Sequence, residues 1–220
     1  RIGEKLYEKM VKNYTFKQWN KYPKELDKSV LERIPIRPNF DTRYFSDKYQ
    51  ALPEKGYTKF FEKILDNNLI EYRLNVDFFE FKKIYDLKNI PIIYTGPIDT
   101  YFSDLGLEKL EYRSIDFHIQ RFKNMNFYQP CGAVNYPGNE KSYTRIIEYK
   151  HFLNQQSPHT IIVGETTNDK GEPYYPVPNK KNLELYEKYR KLADEQQKNN
   201  KIFFVGRLAN YKYFDMDQAI

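Results

Sequence analysis

The segment IFFVGRLANYKYFDMDQAI, residues 202–220, decides the fold class, because a short apolar run passes through a glycine and an arginine into a helix start. We predict a buried strand over residues 202–205, a turn at Gly206 and Arg207, and a helix from Asp215. Such a turn brings backbone amides, a cation and a helix N-terminus together. The segment therefore indicates a place that holds an anionic or polarised ligand.

Strand patterns precede this segment along most of the chain. Residues 90–94 are a continuous apolar run, whereas the other candidate segments alternate apolar with polar residues or are short apolar runs. Turns rich in glycine, proline and asparagine, such as residues 137–139, separate them. The predicted strands are 70–76, 90–94, 113–119, 133–136, 144–149 and 160–163. An antiparallel sheet is the most economical arrangement for them.

Helical periodicity is found at the beginning of the chain and near its end. The predicted helices and helical segments are 1–14, 23–38, 57–67 and 182–197. We expect Thr58 to cap the third of these, and prolines to bound the second as a short helix and loop. Helices followed by an antiparallel sheet predict the α+β fold class.

Composition excludes several classes of protein. The 220 residues carry a net charge of +6, but 36 basic and 30 acidic side chains are interspersed, which favours an ordinary lysine-rich surface over a nucleic-acid partner. A single cysteine, Cys131, excludes an internal disulfide and a cysteine-based zinc site. The three histidines show no ligand spacing, so we expect no metal. No bilayer-length apolar run or leader is found, and we expect a cytoplasmic protein without a membrane partner.

An aromatic group stands at the end of the first predicted helix. Trp19 is the only tryptophan, and Tyr14 and Thr15 precede it by about one helical turn. An exposed aromatic pair beside a hydroxyl makes a platform for a planar ring such as a nucleobase. The alternative is that Trp19 packs the helix onto the core, which is the commoner role of a lone tryptophan.

Two arginines lie far apart in the chain, Arg33 in a loop-like stretch and Arg145 on an alternating strand. Arginines from distant segments can converge on a pyrophosphate from both sides, each donating a planar fork of hydrogen bonds. Taken singly, each is more often a surface charge or a salt-bridge partner. Gly96 follows the predicted strand that ends at residue 94, and Gly206 follows the one that ends at residue 205. Glycine at these places would allow a cofactor to approach the backbone closely, although it also makes ordinary strand-to-helix turns.

Seven short motifs stand in the order found in the UDP-galactopyranose mutase family, which the chain resembles along nearly its whole length. They are YTFKQW (14–19), RIPIR (33–37), DTRYFSD (41–47), YTGPID (94–99), YTRIIE (143–148), EPYYP (172–176) and the GRL segment (206–208). The chain departs from the family in having no G-x-G-x-x-G motif, so we expect that the strand, turn and helix that hold the ADP part of a flavin are missing. We therefore expect these 220 residues alone to bind flavin poorly and to be inactive.

The resemblance implies an isomerase of galactofuranose biosynthesis that interconverts UDP-galactopyranose and UDP-galactofuranose. In the family, N5 of reduced FAD attacks the anomeric carbon, and the chemistry belongs to the cofactor. The implied catalytic residues are Arg33 and Arg145, which would face each other across a cleft. The implied substrate-binding residues are Tyr14, Thr15, Trp19, Tyr44, Asn135, Tyr174, Tyr175 and Tyr213. Of Tyr174 and Tyr175, the sequence leaves open which one faces the ligand. The implied cofactor-binding residues are Thr95, Gly96, Gly206, Arg207, Asp215 and Met216.

The resemblance also implies an organisation into three parts. Residues 1–36 are expected to be the end of a helical subdomain with a mobile loop, residues 37–200 a mixed α+β substrate-binding domain with the antiparallel sheet, and residues 201–220 the closing strand and helix of a flavin-binding domain. UDP-galactose is the expected small-molecule partner, and a homodimer is compatible with the sequence.

Two other functions stay open at the level of the sequence. A relative of the FAD-dependent amine or protoporphyrinogen oxidases would share the strand-to-helix ending, but should lack the set formed by Trp19, Arg33 and Arg145. A non-catalytic module that binds nucleotides or nucleic acid would fit the basic charge and the many aromatic residues.

Overall fold

A computed structural model describes residues 3–32, 37, 39–41, 43 and 45–219, except the side chain of Asn154. The chain divides into two compact units, one formed by residues 1–34 with 91–220 and the other by residues 35–90. Each unit is described by itself below.

Each of the four predicted helical segments contains a helix in the described residues, and two further helices, Phe78–Ile84 and Ile98–Tyr101, were not predicted. The α-helices are α1 (Glu4–Leu6), α2 (Asn13–Trp19), α3 (Ser29–Glu32), α4 (Gly56–Leu65), α5 (Phe78–Ile84), α6 (Ile98–Tyr101), α7 (Lys180–Asn200) and α8 (Met216–Ala219). A π-helical segment, Tyr7–Lys12, joins α1 to α2, and 3-10 turns are found at Pro23–Glu25, Ser103–Leu105 and Tyr149–Asn154. The first helical stretch thus continues to Trp19, five residues beyond its predicted end at Tyr14.

The larger unit contains the predicted antiparallel sheet. The strands are β1 (Ile92–Tyr94), β2 (Tyr112–Phe122), β3 (Ala133–Asn135), β4 (Arg145–Glu148), β5 (Thr160–Asn168), β6 (Tyr175–Pro176) and β7 (Ile202–Phe204). Five of them form one sheet in the order β3-β4-β5-β2-β6, and every pairing in it is antiparallel. The expected α+β class with an antiparallel sheet is confirmed.

The remaining two strands, β1 and β7, form a separate parallel pair in which Ile92 lies opposite Ile202. A buried apolar cluster next to this pair packs α6 against α7 and includes Ile98, Phe102, Leu185 and Tyr189. Long α7 begins with the side chain of Asn179 accepting from the amide of Asn182, as an N-cap should. Parallel strands need a crossover connection, and here it contains the five-stranded sheet as well as α6 and α7.

A second, smaller core lies under the first helical stretch. Trp19, Val30 and Val177 are buried together, with Leu26 and Tyr175 packed against them. This cluster anchors the C-terminal end of α2 close to β6. The end of α2 is therefore fixed in the unit by apolar burial, which sets the position of the residues on the preceding turn.

The smaller unit contains α4 and α5. Lys55, not the expected Thr58, is the N-cap of α4 and makes no side-chain cap hydrogen bond, whereas Asp77 caps α5 by accepting from the amides of Phe79 and Glu80. The prediction of a strand over residues 70–76 is wrong, because all seven are described and none is in a strand. Alternation alone does not make a strand. Leu74, one of the apolar residues of this pattern, is 77% exposed and therefore is not stabilised by burial.

Candidate functional site

Three polar residues from three strands share one face of the antiparallel sheet. Asn135 on β3 lies directly opposite Arg145 on β4, and Arg145 lies directly opposite Glu165 on β5. Opposite residues in an antiparallel ladder point to the same face. The strand register therefore places an amide, a guanidinium and a carboxylate in one row, although they are distant in sequence.

The centre of this row is an ion pair. Arg145 Nε donates to Glu165 Oε2 at 2.7 Å; Glu165 is 4% exposed, and the arginine is half-buried. Burial by itself lowers the pKa of Arg145, but the hydrogen bond and charge of Glu165 outweigh it and raise the pKa above its ordinary value. The carboxylate thus fixes the guanidinium, whose other nitrogens remain able to donate to a ligand.

Two predicted substrate residues lie close to this pair. Tyr14 on α2 and Tyr175 on β6 are near enough to interact electrostatically with Arg145. Burial raises the pKa of Tyr175, and the charges of Arg145 and Arg207 partly oppose this effect. The hydroxyl of Tyr175 is therefore a neutral hydrogen-bond donor beside a cation at neutral pH.

A second arginine joins the C-terminal segment to the same place. The rings of Tyr175 and Tyr213 are nearly parallel, with centroids 6.3 Å apart. Arg207 Cζ lies 4.4 Å from the Tyr213 ring centroid and 5.4 Å from that of Tyr175, while its Nη2 donates to the carbonyl of Phe214 at 2.7 Å. Arg207 thus holds two tyrosines in place by cation–π contacts.

The geometry separates the two candidates Tyr174 and Tyr175. Tyr174 is 38% exposed, and its ring meets Phe117 edge-on with centroids 6.1 Å apart. Tyr175 instead contacts Trp19, Tyr213 and the neighbourhood of Arg145. Tyr175 is therefore the tyrosine whose hydroxyl interacts with Arg145.

Of the two alternatives that the sequence leaves open for Trp19, the structure shows the buried one. Trp19 is 6% exposed and packs in the small core with Val30 and Val177, and Thr15 is buried as well. Its ring meets Tyr175 edge-on, with centroids 6.1 Å apart. The indole packs into the core because the helix continues through Trp19 and turns this side chain inward. The indole of Trp19 thus packs against the ring of Tyr175. A contact of Trp19 with substrate stays a prediction.

Arg113 on β2 attaches the end of α2 to the sheet, and the sequence analysis did not single it out. It is buried, its Nε donates to the carbonyl of Gln18 at 3.1 Å, and its Nη2 donates to Thr167 Oγ1 at 3.0 Å. It also pairs with Asp169. The sequence signal that could have identified Arg113 is its place at the start of a predicted strand. A cation that becomes buried there needs hydrogen-bond partners.

The residues expected to contact a flavin lie in two turns. Thr95 and Gly96 follow β1, and a Cβ on Gly96 would lie 2.6 Å from the hydroxyl oxygen of Tyr94, so glycine is needed there for local packing. Gly206 follows β7 with φ +91°, and no heavy atom of the described residues lies within 4 Å of the place where its Cβ would be. This open, left-handed position fits close approach of a cofactor to the backbone.

The start of α8 offers fewer backbone donors to a ligand than the sequence predicted. Asp215 precedes Met216, the first residue of this four-residue helix, and the amide of Asp215 already donates to Gln218 Oε1 at 3.1 Å. That amide is therefore engaged within the chain. Arg33 and Tyr44 lie outside the described residues, so the expected opposition of Arg33 and Arg145 stays a prediction.

Neither a metal-binding cluster nor a membrane-spanning helix is found in the described residues. No group of three or more histidine, cysteine, aspartate and glutamate side chains in the described ranges could hold a metal ion. In the same part of the chain, no helix has the length and apolar character needed to cross a bilayer.

These features define a class: an α+β protein whose antiparallel sheet carries a site lined by arginine and tyrosine. A family model described as UDP-galactopyranose mutase matches residues 9–213. Because this match covers nearly the whole chain, the chain belongs to the UDP-galactopyranose mutase family.

Curated relatives agree with this assignment. The chain is 40% identical over 224 residues to a probable UDP-galactopyranose mutase of Klebsiella pneumoniae, covering 100% of this chain and 56% of that protein. It is 34% identical to a dTDP-fucopyranose mutase of Escherichia coli, covering 100% of this chain and 59% of the relative. It is 37% identical to a UDP-galactopyranose mutase of Mycoplasma genitalium, covering 100% and 58%. The chain thus spans less than two thirds of the length of these relatives.

A solved structure supports the fold. The crystal structure of a reduced UDP-galactopyranose mutase superimposes with a TM-score of 0.65 at 15% sequence identity, covering 96% of this chain and 61% of the other. At this identity the likeness concerns the fold alone.

Proposed function

We propose that the complete gene product is a flavin-dependent isomerase that interconverts UDP-galactopyranose and UDP-galactofuranose. The observation that carries the proposal is the row Asn135–Arg145–Glu165 with Tyr14 and Tyr175 beside it. A guanidinium held by a buried carboxylate is a preorganised donor for a diphosphate. Membership in the family supports this assignment.

Each residue of the site has a definite part in this proposal. Arg145 donates to the diphosphate and stabilises the negative charge that develops when the nucleotide leaves, and Glu165 keeps the guanidinium aligned. The ring of Tyr175 packs against the sugar, while its hydroxyl donates to a phosphate oxygen. Asn135 lies at the open edge of the row and offers an amide to the sugar hydroxyls.

The remaining substrate residues are proposed from the family resemblance. For Arg33 and Tyr44, which lie outside the described residues, we propose contacts with the diphosphate or the sugar. Thr15 and Trp19 are proposed to contact the nucleotide, and both are buried.

Reduced FAD is proposed to bind at the turns that follow β1 and β7. Thr95, Gly96, Gly206, Arg207, Asp215 and Met216 would hold it, and the open, left-handed backbone at Gly206 supports this placement. When bound, reduced FAD supplies the nucleophile for the anomeric carbon. Arg207 and Tyr213 orient Tyr175 toward the substrate side of that place.

The parallel pair β1–β7 supports a flavin-binding domain that residues 201–220 help to close. Its inner face packs on α6 and α7, but Ile93 on its outer face is 68% exposed. Parallel sheets are covered on both faces in complete domains. We accordingly propose the three-part organisation given above. A cytoplasmic location stays a prediction, and a homodimer stays compatible with the sequence.

The test is binding and turnover with the complete gene product. We expect saturable calorimetric binding of UDP, and conversion of UDP-galactofuranose to UDP-galactopyranose only after reduction of the flavin. Consumption of oxygen with an amine substrate would support the oxidase alternative instead. Salt-sensitive binding of a single-stranded oligonucleotide without preference for UDP would support a nucleic-acid module.

A second candidate substrate class follows from one relative. The dTDP-fucopyranose mutase of Escherichia coli is 34% identical over the whole chain. The same assay is therefore run with dTDP and dTDP-fucopyranose. Tighter binding of dTDP than of UDP, with turnover of the fucose compound, would assign that substrate to this protein.

A further inference from the structure

Lys17 makes a long-range contact that the proposed mechanism does not use. Its Nζ donates to the carbonyl of Tyr136 at 2.5 Å and to the carbonyl of Gly138 at 3.0 Å. Burial lowers the pKa of Lys17, and the charge of Glu140 partly opposes this change. A partly buried ammonium that bonds two carbonyls more than a hundred residues away is not an ordinary surface lysine.

The two carbonyls belong to the turn between β3 and β4. This turn begins directly after Asn135 and ends directly before Arg145, the neighbours in the site row. The amide of Tyr136 donates to the carbonyl of Thr144 at 2.9 Å and closes the base of the turn. A shift of the turn therefore shifts both site residues.

The helix that carries Lys17 is itself fixed to the other strands. The carbonyl of Lys17 accepts from Thr167 Oγ1 at 2.5 Å, and the carbonyl of Gln18 accepts from Arg113 Nε at 3.1 Å. Tyr14 lies one turn earlier on the same helix. The backbone of Lys17 thus holds α2 to β5, while its side chain holds the β3–β4 turn to α2.

We propose that Lys17 is a positioning residue that sets Tyr14 on α2 at its working distance from Asn135 and Arg145 on the β3–β4 hairpin. This inference rests on the proposed function of the site. An ammonium has three donors and no acceptor, so it can bind both carbonyls at once. Methionine has a similar length but no donor, and arginine keeps a charged donor.

The experiment compares Lys17→Met with two reference variants of the complete gene product. Lys12→Met, earlier on the same helical stretch, removes an exposed lysine that only pairs with Glu8 at 3.4 Å. Lys17→Arg tests rescue by another cationic donor. If Lys17→Met does not fold, Lys17→Gln replaces it, because glutamine keeps one donor group.

Two measurements are made on each variant. Hydrogen–deuterium exchange of peptides covering residues 133–148 reports how firmly the hairpin is held, and calorimetry reports UDP affinity. For Lys17→Met we expect faster exchange of the hairpin and about tenfold weaker UDP binding, the scale expected for hydrogen bonds of a charged donor. We expect Lys12→Met to match the wild type and Lys17→Arg to recover part of both losses.

The outcomes separate this inference from the proposed function. Unchanged exchange in Lys17→Met, or faster exchange with wild-type UDP affinity, would overturn the role of Lys17. A wild-type protein that does not bind UDP would contradict the proposed function, while the exchange of the hairpin would still decide whether Lys17 holds it.

Discussion

The two ends of strand β4 show how differently one protein uses a buried carboxylate. At the start of β4, Arg145 donates to Glu165, whose carboxylate is 4% exposed and accepts from this guanidinium. At the end of β4, Glu148 is 0% exposed and has no arginine partner among the described residues. Both carboxylates are buried, yet their partners differ in kind.

Glu148 is surrounded by donors from neighbouring loops. It accepts from the amide of Tyr128 at 2.9 Å and that of Gln129 at 3.0 Å, from the hydroxyl of Thr160, and from His151 Nε2 at 3.1 Å. Burial alone would raise the pKa of Glu148, but these hydrogen bonds outweigh it and hold the pKa below its usual range. Glu148 therefore fastens two loops to the sheet.

A structural carboxylate and a carboxylate in a ligand-binding site differ in whether their hydrogen-bond partners have further donor groups. The two amides, the hydroxyl and the histidine around Glu148 are all directed at its carboxylate, so these donors are engaged within the chain. The guanidinium of Arg145 is half-buried and has further N–H groups beyond the one that Glu165 accepts. Replacing the two kinds of carboxylate should therefore affect stability at one end of β4 and ligand binding at the other.

The largest effect is expected from Glu148→Ala. Removing the carboxylate leaves buried amides, a hydroxyl and a histidine without their acceptor, which should lower the free energy of unfolding by about 3–5 kcal/mol. Urea denaturation followed by circular dichroism measures this. Glu184→Ala, on an exposed face of α7, serves as control and should change stability by less than about 0.5 kcal/mol. A loss at Glu148 no larger than the control would contradict the structural role.

Acid should remove part of the same stabilisation. Because the pKa of Glu148 is lower in the folded state, the unfolded chain binds the proton more readily. Its contribution is therefore complete above the unfolded value of about 4.3 and is lost as the pH falls through the folded value. The destabilisation caused by Glu148→Gln should be greatest near neutral pH and shrink in acid. Urea denaturation at several pH values checks this, and a difference that grows in acid would reverse the sign.

At the other end of β4, Arg145→Ala should weaken UDP binding by roughly 10- to 100-fold, because it removes hydrogen bonds of a charged donor to the diphosphate. Calorimetry on the complete gene product measures it. Arg190→Ala removes an arginine from an exposed pair with Glu187 and should leave affinity unchanged. Glu165→Gln should lie between the two, since it only loosens the guanidinium. Wild-type affinity in Arg145→Ala would place the diphosphate elsewhere.

The smallest effect sharpens the assignment of the two adjacent tyrosines. Tyr175→Phe should weaken UDP binding by about 2- to 10-fold, as expected for the loss of one neutral hydrogen bond. Tyr174→Phe should have no effect, because this ring packs against Phe117 and is partly exposed. Calorimetry of both variants decides between them. The reverse order of effects would mean that Tyr174 faces the ligand.

Much of the antiparallel sheet could be predicted from the sequence, but its ends could not. The strand predicted to end at Val163 continues as β5 to Asn168. Gly164 interrupts the apolar pattern, and in the structure it leaves room for the ring of Tyr143, since a Cβ there would lie 2.7 Å from that ring. Glu165, just beyond this glycine, was therefore missed as the partner of Arg145.

Local sequence pattern was not enough to predict the structure at residues 70–76 and at Trp19. Residues 70–76 alternate like a strand, but a strand needs a neighbouring strand, which local alternation cannot guarantee. For Trp19, the sequence left open an exposed platform or packing of the helix onto the core. The actual end of α2 at Trp19 turns the indole into the small core.

The sequence by itself determined the fold class, the family and the identity of Arg145 as a candidate, because periodicity and ordered motifs are local properties of the chain. Only the tertiary structure decided that Arg145 lies between Asn135 and Glu165, that Tyr175 and not Tyr174 joins them, and that Lys17 reaches the β3–β4 turn. Register and helix docking depend on contacts between residues far apart in sequence. No local pattern contains that information.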